Sequence, residues 1–346
     1  MKKLTDLFDI ELPIVQAPMA VAQDSAMAVA VSNAGGLGSV PCAMLTAESL
    51  RKTLDSIKTQ TNKPVNVNFF CHAAPNADAA REAAWRTALA PYYKRFGIDS
   101  AAIPSGPGRA PFSVEFADVL EDYQPAVVSF HFGLPPEPLL ARVKSWRSKI
   151  FSSATTVEEA LWLEAHGADV IIAQGVEAGG HRGMFLSDDL TTQVGTFALL
   201  PQIVRAVRLP VIAAGGIADA QGAAAAMALG AAGVQVGTAY LLCPESTISA
   251  IHRAALKSES ARHTALTNLF TGRPARGIVN YLMRELGPIS SRAPAFPLAT
   301  SAVAPLRAKA EAEGSSDFSP LWAGQNATGC KEVPAAQLTR DLAALL

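Results

Sequence analysis

Eight short, mainly apolar runs punctuate the chain, at 13–18, 36–40, 64–70, 126–131, 149–153, 169–174, 210–214 and 233–236. Several of them show no polar alternation at all. A strand that is apolar on both sides must be covered on both sides, which is the situation of a parallel strand under helices. Right-handed βα units of this kind close into an α/β fold, the (β/α)8 TIM barrel. A doubly wound open sheet satisfies the same periodicity.

The connecting segments carry helix punctuation. Thr156 and Glu159 have the spacing of a capping box, and Gly167 supplies the left-handed position after the helix they start. Asp24 and Asp219 are placed to cap two more helices, closed by Gly35-Gly36 and by Gly230. An internal echo supports the repeat: His166-Gly167-Ala168-Asp169-Val170 and Leu229-Gly230-Ala231-Ala232-Gly233-Val234 both pass from helix end through glycine into a buried strand.

Two regions break the rhythm. Residues 72–122 read as a long, partly helical insertion into a barrel spanning 1–243, with an evident loop at Pro104-Ser105-Gly106-Pro107-Gly108. Residues 244–329 read as helices broken by Gly272, Pro274, Gly287, Pro294 and Pro297, an additional mainly helical lid or substrate region. The remainder, 330–346, reads as a C-terminal helix packed on the barrel.

Composition limits what such a barrel does. Lys and Arg number 29 against 30 Asp and Glu, and 49% of the residues are hydrophobic. That excludes intrinsic disorder and removes the basic excess that a nucleic-acid partner requires. Cys42, Cys71, Cys243 and Cys330 form no CxxC pair, so neither a disulfide scaffold nor a zinc site is expected. Asp6, Asp9 and Glu11 interrupt the apolar core that a signal peptide needs, and glycines break the apolar stretch 210–243, so no membrane span is expected. A cytoplasmic protein is the resulting expectation.

In a TIM barrel the working end is where the strands finish. Gly215-Gly216 and Gly237-Thr238 follow neighbouring strands, and together they suit a phosphate held by backbone N–H groups and a hydroxyl. Paired glycines also make ordinary tight turns. Asn68 and Gln174 end strands as uncharged donor–acceptors, fit either to hold a polyol or heterocycle or to brace loops. Phosphate, polyol and planar ring together suggest FMN. His181, between Gly180 and Gly183, is placed as a general base, or is a histidine on a flexible surface loop. His131 ends a strand and either lines the pocket or is a satisfied core histidine. No HExxH, GxSxG or Walker motif is present.

The run Ala173-Gln174-Gly175-Val176-Glu177-Ala178-Gly179-Gly180-His181-Arg182-Gly183 resembles the signature of the bacterial nitronate monooxygenases, the 2-nitropropane dioxygenase-like flavoproteins. So do Gln16-Ala17-Pro18-Met19, Asn66-Val67-Asn68, Val211-Ile212-Ala213-Ala214-Gly215-Gly216 and Gln235-Val236-Gly237-Thr238. The likeness extends through Thr271-Gly272-Arg273-Pro274 and is strongest to the class I group. It implies FMN at the barrel mouth, with Met19, Asn68, Gln174, Gly179 and Gly180 at the flavin or ribityl chain. Gly215, Gly216, Gln235, Val236, Gly237 and Thr238 would surround the phosphate. His181 would be the catalytic base, with His131 beside it. The reaction implied is oxidation of an alkyl nitronate, propionate 3-nitronate among them, by O2 to a carbonyl compound and nitrite. Class I proteins resemble this chain less at Phe296, Thr300 and Ala304, where their pattern carries Tyr, Tyr and Lys, so the anion-binding donors of the lid are expected to be missing. An NAD(P)H:quinone or enoyl-thioester reductase, and a non-catalytic flavin-binding protein, are the alternatives on the same barrel. Pairing into a homodimer is left open.

Overall fold

A computed structural model describes residues 4–76, 78–103 and 109–346. The loop expected at 104–108 lies outside the described residues.

Eight strands run parallel: β1 (Ile14–Gln16), β2 (Gly38–Pro41), β3 (Val65–Phe70), β4 (Val127–His131), β5 (Lys149–Ala154), β6 (Val170–Gln174), and then, after a two-residue β7 (Gly180–His181), β8 (Val211–Ala214) and β9 (Gly233–Val236). Their spatial order is β1-β9-β8-β6-β5-β4-β3-β2. Gln16 N donates to Leu37 O at 2.9 Å and Leu37 N to Ile14 O at 2.8 Å, which joins the two edges. The sheet is therefore a TIM barrel and not a doubly wound open sheet. Each apolar run of the sequence coincides with one of these strands, with β2 and β5 running one residue further.

Side chains alternate between two cores. Val15, Val127, Phe151, Val170, Ile172 and Ile212 pack together inside the ring, and Leu4, Ile10 and Phe8 pack with them. Outward-facing residues such as Ile171, Ala173, Val211 and Val234 meet the surrounding helices instead. That two-sided burial is the physical reason for the unbroken apolarity.

The helix signals act locally as the sequence predicts, with one exception. Asp24 accepts from Ala26 N at 2.8 Å ahead of α1 (Ser25–Asn33), which is followed by α2 (Ala47–Lys58). Asp219 accepts from Gly222 N at 2.8 Å in its own later helix. Thr156 accepts from Glu159 N at 3.2 Å, but Glu159 does not reach back to Thr156. Its buried carboxylate accepts from Thr155 N at 2.7 Å, Thr155 Oγ1 at 2.8 Å and Phe185 N at 2.6 Å. Only half of the expected capping box forms, because the carboxylate is needed to tie down the loop after β7.

The stretch 72–122 divides in two. Its first helix, α3 (Ala79–Phe96), packs Trp85, Leu89 and Tyr93 against Ala302, Leu306 and Phe318 of the region 244–329. Its second helix, α4 (Val114–Tyr123), buries Phe116, Val119 and Leu120 against the barrel's outer face, with α5 (Glu137–Ser145) as neighbour. Then come α6 (Val157–Ala165), α7 (Thr196–Ala206) and α8 (Ala220–Ala228) around the ring. Beyond β9 lie α9 (Ala250–Leu256), β10 (Thr264–Thr267), β11 (Ala275–Ile278), α10 (Tyr281–Leu286), α11 (Ala299–Ala312) and α12 (Ala335–Leu342). Helix α12 docks beneath α1 through Leu338 and Leu342, with Thr339 Oγ1 2.9 Å from Tyr240 Oη. Antiparallel pairing of β11 with both β10 and β7 sets Ala275 opposite His181. Among the described residues no helix is long and apolar enough to cross a membrane.

Candidate active site

Two chemically distinct groups of residues gather at the C-terminal ends of the strands. At one end Gly215 and Gly216 turn the chain out of β8 with φ of +119° and +75°, conformations that L side chains rarely adopt. Among the described residues their amides meet no acceptor. The Thr238 hydroxyl, after β9, accepts from Gly324 N at 2.9 Å and keeps its own hydrogen to give. The Gln235 Oε1 atom is buried without a donor. Met19 stands beside Gly237, where an added Cβ would lie 3.6 Å from its sulfur. Asn68 Nδ2 donates to Ser129 Oγ at 2.8 Å, which leaves Oδ1 as an acceptor.

The end of the region 244–329, expected as helical lid, and Cys330 beyond it bridge these corners. Gln325 N donates to Glu177 O at 3.0 Å, Asn326 Nδ2 to Gly216 O at 2.9 Å, and Cys330 Sγ to Thr238 O at 3.0 Å. Gly179 and Gly324 meet backbone to backbone, since a Cβ on Gly179 would fall 2.5 Å from Gly324 N. Trp322-Ala323-Gly324-Gln325-Asn326 has a glycine between polar and aromatic residues, a signal available in the sequence.

At the other end stands His181. Its Nε2 lies 2.9 Å from Thr271 Oγ1, and Thr271 Oγ1 lies 3.3 Å from the carbonyl of Arg273. The Thr271 hydrogen can go to either acceptor, and among the described residues Nδ1 has no hydrogen-bond partner. Phe70, Phe132, Phe296 and Trp322 wall the ring at centroid distances of 6.0, 6.1, 5.3 and 5.6 Å. Burial, and then the charges of Arg109, His131, Arg273 and His72, hold its pKa well below the ordinary imidazole value. Both effects favour the neutral imidazole.

His131 and Gln174 support this loop from behind. His131 Nε2 lies 3.1 Å from His181 O and Nδ1 3.0 Å from Ser153 Oγ, so both ring nitrogens are engaged. Burial pushes its pKa down to about 4. Gln174 donates to His181 O at 3.0 Å and accepts from Gly183 N at 2.7 Å. The Gln174 amide thus braces the loop from both its donor and its acceptor atom. Buried Arg182 adds bonds to Gly175 O at 2.8 Å and Gln174 O at 2.7 Å.

The lid positions differ in placement. Phe296 is in the wall of the His181 pocket, Thr300 Oγ1 donates to Phe270 O at 3.1 Å, and Ala304 is exposed. Arg109 and Arg273 were absent from the sequence reading of the pocket. Arg273 follows the Thr271-Gly272 turn, which marks it, whereas nothing around Arg109 distinguishes it from a surface arginine. Among the described residues no group of His, Cys, Asp and Glu is placed to hold a metal ion.

Comparison with known proteins agrees with this geometry. The family model described as nitronate monooxygenase matches residues 1–344. A nitronate monooxygenase of Paraburkholderia phytofirmans is 42% identical, over 99% of this chain and 94% of its own. One from Pseudomonas aeruginosa is also 42% identical, over 98% and 97%. The crystal structure of a nitroalkane oxidase from Streptomyces ansochromogenes superposes with a TM-score of 0.90 at 40% identity, covering 99% of this chain and 97% of that one. FabK from Thermotoga maritima gives 0.73 at 28% identity, over 99% and 95%. Matched end to end in sequence and across one barrel in space, the chain belongs to the nitronate monooxygenase family of oxidoreductases.

Proposed function

We propose that this chain binds FMN at the glycine corners and uses O2 to oxidise alkyl nitronates to a carbonyl compound and nitrite. The observation that carries the reading is the His181 ring walled by Phe70, Phe132, Phe296 and Trp322, where burial and nearby basic side chains favour its neutral form.

The residues present suit the cofactor. Free amides at Gly215 and Gly216 and the Thr238 hydroxyl are donors for a phosphate, without help from Lys or Arg. Buried Gln235 Oε1 and Asn68 Oδ1 are acceptors for ribityl hydroxyls or ring N–H groups. Met19, Gly179, Gly180, Val236 and Gly237 complete the lining. Bound FMN would supply the acceptor for the substrate's electrons and their route to O2.

The protein's own part is binding and proton management. Phe70, Phe132, Phe296 and Trp322 surround the ring with apolar side chains, which would exclude water and suit an alkyl chain. A nitronate arrives without its α-proton and asks nothing of His181 as a base. A neutral nitroalkane must give that proton to the ring, and an imidazole of depressed pKa is a weak acceptor. The site therefore favours nitronates over nitroalkanes.

The test is direct. The purified protein should carry a flavin that mass spectrometry identifies as FMN, and should consume O2 and release nitrite with a panel of nitronates that includes propionate 3-nitronate. Rapid anaerobic bleaching by NADH with no nitrite from any nitronate would replace this reading with the reductase. No turnover at all by the FMN-loaded protein would replace it with the non-catalytic one.

A further inference from the structure

The titratable groups that act on His181 are all basic. Arg109, His131, Arg273 and His72 each disfavour its protonation, and no carboxylate opposes them. Two of these four are guanidinium groups seated on the aromatic wall. Arg109 places Cζ 5.7 Å from the centre of Phe296, and Arg273 places Cζ 4.0 Å from the centre of Phe132. The two rings are 5.5 Å apart.

Neither guanidinium is neutralised where it sits. Among the described residues the Arg109 side chain has no hydrogen bond or ion pair, only its position over Phe296. Arg273 gives one N–H to the carbonyl of Met184 and leaves Nε buried without a partner. Asp188 and Glu159 act on Arg273 only at range. Asp188 is exposed, and the oxygens of Glu159 are taken by Thr155 and Phe185. A partly desolvated cation without a counter-ion is unfavourable unless a ligand brings the anion. A nitronate group is planar and shares its negative charge between two oxygens, the shape that guanidinium N–H groups match.

We propose that Arg109 and Arg273 are the specificity-determining residues of this pocket: they hold the nitronate oxygens, so that the protein selects the anion over its neutral nitroalkane conjugate. The proposal rests on the nitronate reading above. It also accounts for lid positions that bring no charge, since Phe296 is apolar, Thr300 is bonded to the backbone and Ala304 is exposed. Positive charge enters the pocket from the segments before α4 and after β10 instead.

The experiment uses the FMN-loaded full chain and nitrate, a planar oxyanion that cannot be turned over. Isothermal titration should detect nitrate binding, and nitrate should compete with nitronate in steady-state assays. Arg109→Met should weaken nitrate binding and raise the nitronate KM by about thirtyfold, with kcat and nitroalkane kcat/KM changed less than about threefold. Arg109→Lys should keep most of the preference for the anion, and Arg109→Gln, of similar length, should lose it. This pair decides the matter if Arg109→Met fails to fold, and Arg273→Gln is expected to act in the same direction. Unchanged nitrate affinity and nitronate KM in Arg109→Gln would overturn the proposal. Nitrate binding that depends on Arg109 in a protein making no nitrite would instead uphold the anion site and overturn the nitronate reading.

Discussion

His131 Nε2 meets the main-chain oxygen of His181 at 3.1 Å, so one histidine holds the backbone of the other and not its ring. His131 is thus placed to position the base. His131→Ala should cost about 1–3 kcal/mol of stability, the range for leaving buried polar groups unpaired. His131→Gln, which keeps a donor, should recover part of it. Urea denaturation gives the stability, and nitronate kcat/KM at constant flavin content reports the loop geometry.

The ring of His181 separates two classes of substrate. His181→Asn should lower nitroalkane kcat/KM by about a hundredfold, the scale of general-base catalysis, while nitronate kcat/KM falls by less than about tenfold. Oxygen uptake with each conjugate pair checks this. Equal losses on both would remove the proton-transfer role.

The Thr238 hydroxyl can be tested with a cofactor cut short. Thr238→Val should weaken FMN binding by about tenfold, the value of one hydrogen bond to a charged group. It should leave the binding of riboflavin, which lacks the phosphate, almost unchanged. Fluorescence titration of the apoprotein with both flavins measures the difference.

Acid should destabilise the fold through its buried histidines. His131 and His252 are each pushed down to about 4 by burial, and His181 lies well below its ordinary value. Unfolding returns them to about 6.5, so between the two values the unfolded chain binds more protons. Stability is full above pH ~6.5 and falls toward pH 4, by up to about 1.4 kcal/mol per pH unit for each histidine. Denaturant midpoints at pH 7.5, 5.5 and 4.5 follow it.

Much of this architecture is legible in the sequence because strand burial is local information. Ile171, Ile172 and Ala173 are apolar in succession since one side faces the ring and the other the helices, and no distant partner is needed to see it. Periodicity could not distinguish a ring from an open sheet, because closure rests on the backbone pairing of Ile14 and Gln16 with Leu37. The glycine corners and His181 were visible as residue types at strand ends. Arg109 was not, since its place depends on how 72–122 folds back over Phe296. Glu159 shows the same limit on a smaller scale: its spacing from Thr156 marks a cap, and only the returning loop at Phe185 reveals where the carboxylate goes.

The strap from Trp322 to Cys330 fastens both corners of the phosphate end, while Trp322 itself is a panel of the His181 chamber. The coenzyme proposed for these corners would therefore be covered by the same segment that walls the His181 ring, so a change in the strap would be felt at both ends at once.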